Sequence, residues 1–356
     1  MNININRFQL TDIFNIHYGV FYPIRKFVSK KDFVSIIKKM RMINGDFFPI
    51  PIYFSISKKK INKIKKNELV YILYNKQYIC KFFIQNIYNF TKIRKSQFAK
   101  KIFLTNNLKH PGVKNFMSED NYYLEAEIKE FDIQIIKKFN FTIPLNFKKI
   151  LKKKKINQIA GFHTRNVPHK AHEWIHQIGV KFCGALLIQP MISQYRENEY
   201  NEKIIIISNK YLVEKVYKNK KVFFAFFNSY PRYAGPKEAL LHAIVRRNYG
   251  CTHFLVGRDH AGVENFYNIY DSQRLCILNQ KQLGIKIIIF KEPYLCTDCN
   301  KIVNKRCSLC KNNDNCYKIS GTTIRKKIRE SKNIEYTLMR KQISKLLSNK
   351  TLILKK

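Results

Sequence analysis

The sequence predicts an α/β protein in which a parallel sheet follows a separate, mostly β domain. From Asn157 onward, short apolar runs alternate with helical segments, a pattern typical of βαβ units. Before that point the apolar runs are β-rich, and a lysine-rich connection that contains Pro144 separates the two parts. With 356 residues, 45% of them hydrophobic, each part is long and apolar enough to bury its own core.

The first domain is predicted to span residues 1–147. It contains one clear amphipathic segment, Lys31–Met42, and three β-rich runs, namely Ile50–Ile56, Leu69–Tyr74 and Tyr122–Ile128. The run Lys152–Lys155 that follows is interpreted as the solvated face of a linker, with a phosphate-binding patch as the alternative.

The second domain is predicted at 148–290, where strands and helices alternate. The predicted strands are Ile159–Phe162, Ala185–Ile188, Val222–Phe227, Phe254–Val256 and Ile285–Phe290. Predicted helices cover Ala171–Val180, a segment before Val222 and the stretch from Lys237 to Tyr249. Residues 291–356 form a small C-terminal domain with a cysteine-rich stretch and then helices.

The charge balance is strongly basic, with 67 Lys and Arg against 24 Asp and Glu and a net charge of +43. Such a charge often marks a nucleic-acid partner. Here 52 lysines stand against only 15 arginines, Asn, Ile, Phe and Tyr are abundant, and the lysines are spread along the chain. We therefore attribute the charge to a bias toward AT-rich codons and expect no specific nucleic-acid partner; a nucleic-acid footprint is the alternative.

The sequence shows neither an export signal nor a membrane span. The start, MNININRFQL, lacks a basic stretch followed by an apolar one, and the longest apolar runs are far shorter than a span. We expect a cytoplasmic protein without membrane contact. Five of the nine cysteines fall between Cys296 and Cys316, which favours metal ligands or reduced thiols over disulfides.

The first candidate site follows a predicted strand and opens a helix, where free N–H groups and the helix dipole favour an anion. Its polar side chains are His163, Thr164, Arg165, Asn166, His169 and His172. Because His169 and His172 are three residues apart, they project from one helix face and can reach the same phosphate. A pair of histidines without a function is the alternative.

The second candidate site again follows an apolar strand. Its residues are Gly257, Arg258, Asp259, His260, Ala261 and Gly262. Arg258 offers forked donors to an oxyanion, His260 another donor, and Ala261-Gly262 close backbone N–H groups. A glycine-rich turn with a structural Arg–Asp pair is the alternative.

A third, less specific anion site is predicted at a helix start with Ser320, Gly321, Thr322 and Arg325, for which a plain N-cap is the alternative. The sequence contains no Walker A motif, no G-x-G-x-x-G and no H-E-x-x-H. These absences argue against a P-loop NTPase, a dehydrogenase and a zinc protease.

Two CxxC pairs, Cys296/Cys299 and Cys307/Cys310, are separated by seven residues. This spacing predicts a structural Zn²⁺ held by four thiolates; reduced thiols and a redox pair are the alternatives. Cys316 is an alternative ligand. The isolated Cys80, Cys183, Cys251 and Cys276 are interpreted as core residues.

Together, the three motifs resemble those of the ATP sulfurylase (sulfate adenylyltransferase) family, and the resemblance covers nearly the whole chain. Further segments similar to the family are Arg232–Ala239 and, in the first domain, Gly19–Pro23, Met40–Met42, Pro49–Ile52 and His110–Val113. The resemblance implies a Rossmann-like nucleotidyltransferase domain preceded by a PUA-like, mostly β domain.

It also implies a reaction: ATP and sulfate give adenylyl sulfate and pyrophosphate by in-line attack of sulfate on the α-phosphorus. Mg²⁺ accompanies ATP, and the reaction serves sulfate assimilation or, in reverse, ATP formation in sulfur oxidation. The implied catalytic residues are Thr164, Arg165, Asn166, His169, His172 and Arg258. Residues implied to bind substrate are His163, Arg165, Asn166, His169, His172, Gly257, Arg258, Asp259, His260, Ala261, Ser320 and Arg325.

Two departures from the family pattern bear on the substrate. The family usually has Gln where His163 stands, and Tyr230-Pro231 replaces its more usual residues. An adenylyltransferase with another acceptor is therefore one alternative, and a nucleic-acid-binding derivative of the fold is another. Family members of this size commonly form homo-oligomers, and we expect a dimer.

Overall fold

A computed structural model describes residues 1–192, 200–299, 301–303, 315–319, 321–330 and 334–347. The chain forms two compact units. The first comprises residues 1–151, 228–250 and 259–285; the second comprises 152–227, 251–258 and 286–356. Among the described helices, none combines the length and the hydropathy that crossing a membrane requires. The domain limits expected from the sequence at residues 147 and 290 stay predictions.

A five-stranded sheet organises the N-terminal part of the first unit. Its strands are β1 (Asn2–Asn4), β2 (Phe54–Ile56), β3 (Leu69–Tyr74), β4 (Gln77–Asn89) and β5 (Tyr122–Lys129). The order is β1-β3-β4-β5-β2, with β1 parallel to β3 and the other pairs antiparallel. Strands β3 and β4 form a hairpin whose two loop residues, Asn75 and Lys76, both have positive φ, as tight hairpin turns require.

Six helices accompany this sheet along the chain. They are α1 (Arg7–His17), α2 (Lys30–Lys39), α3 (Lys58–Ile61), α4 (Lys92–Phe103), α5 (Pro111–Ser118) and α6 (Pro144–Lys153), with a 3₁₀ turn at Ile135–Lys138. The side chains of Asn6, Ser29 and Thr91 cap α1, α2 and α4. These caps satisfy N–H groups that each first turn leaves without an intrahelical partner.

The sequence pattern located β3, β5 and α2 but missed β4, α1, α4 and α5. Strand β4 was missed because a register shift between Ile84 and Asn86 interrupts its alternation of buried and exposed residues. Of the predicted run Ile50–Ile56, only Phe54–Ile56 is a strand. Pro51 within that run lacks the N–H that a sheet ladder needs.

The second unit is built on a parallel sheet. In chain order its first elements are β6 (Ala160–Thr164), α7 (Lys170–Cys183), β7 (Leu186–Ile192), α8 (Glu202–Tyr211) with a π-helical turn at Leu212–Val216, and β8 (Val222–Phe224). The two-residue strand β9 (Phe227–Asn228) follows, and its second residue already belongs to the first unit. After α9 (Pro236–Asn248), which belongs to the first unit, come β10 (His253–Val256), then α10 (Asp271–Leu278) and α11 (Gln280–Leu283) of the first unit, and β11 (Lys286–Ile289). Every residue of β7 is buried, as expected for a central strand of a parallel sheet.

The strand order of this sheet is β11-β10-β6-β7-β8, with all four pairings parallel. From β6 the chain adds β7 and β8 on one side and later adds β10 and β11 on the other. This is the order of a doubly wound, Rossmann-like sheet, and its topological switch point lies between β6 and β10. The predicted fold class is confirmed.

A small antiparallel sheet and two helices complete the second unit. They are β12 (Tyr294–Cys296), β13 (Lys301–Val303), β14 (Cys316–Lys318), α12 (Gly321–Arg329) and α13 (Lys341–Leu347). The strand order is β13-β12-β14. Ile324, Met339 and Ile343 belong to the same buried cluster as Ala160 and Ile188 of the parallel sheet, so the C-terminal helices share that core.

A polar cluster in the first unit consists of the buried Asp12 and of four half-buried residues, Tyr53, Glu119, Tyr230 and Arg232. Arg232 Nη2 lies 2.5 Å from Asp12 Oδ1, and Tyr230 Oη donates to Asp12 Oδ2 at 2.9 Å. Burial raises the pKa of Glu119 to about 7, although a hydrogen bond from Tyr53 acts in the opposite direction. Glu119 Oε2 has no hydrogen-bond partner among the described residues. Ionised Glu119 is thus destabilising at this position.

This cluster predicts a pH-dependent stability difference between the wild type and Glu119→Gln. The native state holds the Glu119 proton to about pH 7, whereas the unfolded chain releases it near the usual value of 4.5. Stability contributed by this group is therefore present at low pH and is lost as pH rises through 7. Relative to Glu119→Gln, the wild type should lose about 3 kcal/mol of unfolding free energy between pH 4.5 and 7. Urea unfolding of both proteins at pH 5 and 8 measures this, and parallel changes would contradict it.

Candidate functional site

The first candidate motif occupies the loop between β6 and α7 in the second unit. His163 and Thr164 end β6, and Thr164 Oγ1 accepts a hydrogen bond from Asn166 N at 3.0 Å, which folds the chain back toward α7. His169 occupies the N-cap position, and the side chains of His163 and Arg165 are half-buried. The motif therefore lies at the carboxyl end of β6, where open α/β sheets bind ligands.

Three histidines line one face of α7. The rings of His169 and His172 stack with centroids 3.8 Å apart, and His176 continues the row at 6.5 Å from His172. His176 Nδ1 lies 3.1 Å from Tyr217 Oη. His176 is not among the residues predicted from the sequence, although its spacing of four residues from His172 places it on the same helix face.

All three rings are neutral at pH 7. Burial lowers the pKa of His172 to about 4, and it lowers the pKa of His169 and of His176 well below the usual 6.5. For His169, the neighbouring histidines and Arg325 lower it further. His169 Nδ1 and His172 Nδ1 are buried without a hydrogen-bond partner among the described residues. Each ring therefore keeps one buried nitrogen whose hydrogen-bonding capacity the described residues do not satisfy.

Arg325 of the third motif reaches the first motif. Its Nη1 donates to Asn166 Oδ1 at 2.7 Å. Gly321, the first residue of α12, is also close to Asn166, because a Cβ added to this glycine would lie 3.5 Å from the Asn166 side chain. The structure thus brings Asn166 and Arg325 together, 159 residues apart in sequence. Ser320, which the sequence assigns to the same site, lies outside the described residues.

The second motif begins at the carboxyl end of β10. Gly257 and Arg258 follow this strand directly, and β10 pairs with β6 in the register Phe254 to Gly161. Arg258 Nη1 donates to Glu292 Oε1 at 2.8 Å, which the sequence analysis missed. Lys318 Nζ lies 3.3 Å from the other Glu292 oxygen, so two cations share this carboxylate.

The remainder of the second motif, Asp259 to Gly262, belongs to the first unit. Asp259 and Ala261 have φ of 54° and 57°, a conformation that costs energy for residues with a Cβ. Asp259 is exposed, and His260 Nε2 lies 3.1 Å from His242 Nδ1. His260 O accepts from Ser272 Oγ at 2.6 Å, so α10 supports the loop. His242 was missed because its position in the middle of α9 resembles that of a core residue.

Glu238 holds the Arg232–Ala239 segment in the first unit. Its carboxylate accepts hydrogen bonds from Arg232 N at 2.9 Å and Ala234 N at 3.1 Å, and it lies 3.7 Å from His242 Nε2. Between these contacts, Gly235 has a φ of 52°, and a Cβ there would collide with the ring of Tyr267. A glycine is required at position 235 because its φ is positive and because the Tyr267 ring leaves no room for a Cβ.

The cysteine-rich stretch is described only in part. Cys296 ends β12 and is the register partner of Cys316 on β14, and Cys299 follows in the turn. Cys307 and Cys310 lie outside the described residues. Within the part of the chain that the structure describes, no three His, Cys, Asp or Glu side chains are grouped as a metal site requires. The zinc site stays a prediction.

The neutral state of the α7 histidines is testable by NMR. We expect the ring signals of His169 and His172, assigned through His169→Gln and His172→Gln, to remain those of neutral imidazole from pH 8 down to pH 5, because burial disfavours the cation. Added pyrophosphate should raise both pKa values, since an adjacent anion favours the imidazolium. Titration near pH 6.5 without ligand would contradict the burial argument.

Comparisons with known proteins indicate the same family as the motifs do. The family model for ATP-sulfurylase matches residues 139–350, and the model for a PUA-like domain matches residues 1–132. A sulfate adenylyltransferase of Ignicoccus hospitalis is 29% identical over 98% of this chain and 90% of its own length. Those of Pyrococcus abyssi and Thermococcus onnurineus are each 30% identical over 97% of this chain and 89% of their own lengths.

A solved structure supports the fold over nearly the whole chain. The hexameric APS kinase from Thiobacillus denitrificans superposes with a TM-score of 0.74 at 12% identity, over 98% of this chain and 63% of that one. At this identity the likeness concerns the fold alone. The matches of the family models, in contrast, confirm the resemblance that the motifs indicated: the chain belongs to the ATP-sulfurylase family and carries a PUA-like domain before its ATP-sulfurylase domain.

Proposed function

We propose that this protein is a sulfate adenylyltransferase, which forms adenylyl sulfate and pyrophosphate from ATP and sulfate. The observation that carries the proposal is that two motifs predicted to bind anions follow the adjacent strands β6 and β10, beside the switch point of the sheet. The family membership of the chain and the name shared by its relatives support the same activity.

In the proposed reaction a sulfate oxygen attacks the α-phosphorus in line, and pyrophosphate leaves without a covalent enzyme intermediate. Catalysis is then positioning plus electrostatic stabilisation. The guanidinium groups of Arg165, Arg258 and Arg325 supply positive charge, and the neutral rings of His169 and His172 donate hydrogen bonds to the phosphates. Mg²⁺ would enter with ATP and offset part of the phosphate charge.

In the proposed site, two residues at the end of β6 act on the acceptor, sulfate: one binds it and the other holds the loop. His163, half-buried and with its ring centroid 6.4 Å from that of Phe227, offers an N–H to sulfate in place of the family's usual amide. Thr164 holds the loop through Asn166. The same arrangement serves both directions, because an enzyme accelerates a reversible reaction both ways; metabolite levels decide between sulfate activation and ATP formation.

The activity predicts sulfate-dependent release of pyrophosphate from Mg-ATP by the purified protein. We expect His169→Ala or His172→Ala to lower turnover by about 10²-fold or more with a smaller change in ATP affinity, since charge on the leaving pyrophosphate grows in the transition state. His17→Ala is the matched control, because His17 ends α1 and packs on Phe131, outside all three motifs.

If pyrophosphate release did not respond to sulfate but responded to another oxyanion, that oxyanion would be the acceptor in place of sulfate. Near-normal turnover in both α7 variants would remove the histidines from the mechanism.

We also propose that Cys296, Cys299, Cys307 and Cys310 hold one structural Zn²⁺. The first two end β12 and form the turn after it, so a metal there would stabilise the small sheet β13-β12-β14. Four thiolates suit Zn²⁺, which prefers a closed tetrahedral sulfur site when its role is structural.

Metal analysis should return about one Zn per chain for a single four-thiolate site. Cys299→Ser should lose the metal and some thermal stability, whereas Cys316→Ser and the buried control Cys276→Ser should retain the metal. Loss of zinc from Cys316→Ser would assign Cys316 to the ligand set, and a metal-free, fully stable wild type would refute the site.

Dimer formation and a cytoplasmic location stay predictions. Analytical ultracentrifugation of the purified full chain distinguishes a dimer from other states.

A further inference from the structure

The second unit contains a cavity of about 1090 Å³ in its C-terminal part. Strand β14, helix α12, the segment 334–338 and helix α13 form its wall. None of the site residues predicted from the sequence is among the described residues that line it. Its volume is far larger than a bare phosphate or sulfate needs and is at the upper end of the range for small-molecule sites.

The cavity combines an apolar floor with a basic rim. Leu295, Ile334 and Leu338 are buried at the floor, with exposed fractions of 4%, 8% and 8%. The basic side chains are Lys318, Lys327, Lys341 and Lys345, of which Lys318 is also paired with Glu292 and Lys327 with Glu335. Four of the thirteen lining residues are thus lysines, about twice the share of lysine in the whole chain, and Glu335 is the one acidic residue among the described lining residues.

Two aromatic rings stand at the same cavity. Tyr317 and Tyr336 line it and remain 56% and 61% exposed. Lys341 Nζ lies 5.5 Å from the centroid of the Tyr336 ring. Lys327 is paired with Glu335 at 2.6 Å, which orients α12 toward the segment 334–338. Exposed rings next to ammonium groups suit a ligand that has both an aromatic face and negative charge.

We propose that this cavity binds a nucleotide, with the base against Tyr317 and Tyr336 and the phosphates at the lysines. Ammonium groups bind phosphate oxygens through charge-assisted hydrogen bonds, and a tyrosine ring stacks on a heteroaromatic base. An inorganic anion would use the lysines and leave the rings and the apolar floor uncovered. The site does not depend on the sulfate adenylyltransferase activity proposed above.

The cavity wall is also joined to α7. Leu338 O accepts a hydrogen bond from Lys170 N at 2.9 Å, and Arg340 forms a bidentate pair with Glu173 at 2.9 and 2.7 Å. Lys170 follows His169 directly in the chain. A ligand that orders the segment 334–341 therefore also stabilises the first turn of the histidine-bearing helix.

Photolabelling of the full chain with 8-azido-ADP, followed by peptide mapping, tests the proposal. We expect labelled peptides that contain Tyr317 or Tyr336. Lys327→Gln and Tyr336→Ala should each lower this labelling by about tenfold, because each removes one strong contact. Lys326→Gln is the matched control, since Lys326 is the neighbouring residue on α12, is 73% exposed and does not line the cavity.

Competition identifies the ligand class. Unlabelled ADP should suppress cavity labelling at lower concentration than pyrophosphate or adenosine, since only ADP contacts both the rings and the lysines. Equal suppression by pyrophosphate would overturn the nucleotide assignment in favour of an anion site. Amide exchange in 334–341 should slow with ADP in the wild type and in Lys326→Gln but not in Lys327→Gln, and unchanged exchange in the wild type would also overturn the proposal.

The labelling pattern separates this proposal from the proposed function. Labelling confined to peptides around His163–His172 would overturn the cavity site and leave the enzymatic proposal standing. Labelling confined to the cavity would support the cavity site and count against ATP binding at the motifs. Labelling at both places supports both.

Discussion

The parallel pairing of β6 between β7 and β10 is the constraint on which the candidate site depends. It brings the carboxyl ends of β6 and β10 to one edge of the sheet, so the loops that carry Asn166 and Arg258 start side by side although the two strands are far apart in the chain. The buried strand β7 and the shared core beneath α12 hold this sheet in place, and α12 in turn delivers Arg325 to Asn166.

In the second unit, burial keeps the histidines neutral, so the positive charge near the motifs comes from arginines. The stacked rings of His169 and His172 are neutral because burial lowers the pKa of each, and neighbouring cations lower that of His169 further, whereas arginines retain their charge in almost any environment. At the proposed site, an anion would meet positive charge from guanidinium groups and hydrogen-bond donors that need no ionisation. Such preorganisation suits the transfer of a charged nucleotidyl group.

The first unit keeps its part of the second motif in a strained form. Asp259 and Ala261 adopt left-handed backbone conformations, and the contacts of His260 with His242 and Ser272 hold them there. Left-handed residues with a Cβ persist where surrounding contacts determine them, and they concentrate at functional sites. Glu238 stabilises the turn at Gly235 by accepting hydrogen bonds from the backbone N–H groups of Arg232 and Ala234.

Apolar runs that alternate with amphipathic helices leave a periodic signal in the amino-acid sequence, and this signal predicts the fold class and the strands of the parallel sheet. The motif segments are predicted as candidate sites because loops after strands are where open α/β sheets bind ligands. The partners of these residues are visible only in the folded chain. The pairing of Arg258 with Glu292, the neutral state of His169 and the stacking of His176 behind His172 depend on burial and on contacts between distant segments. Periodicity along one chain carries no information about either, since solvation and long-range contacts exist only once the chain has folded.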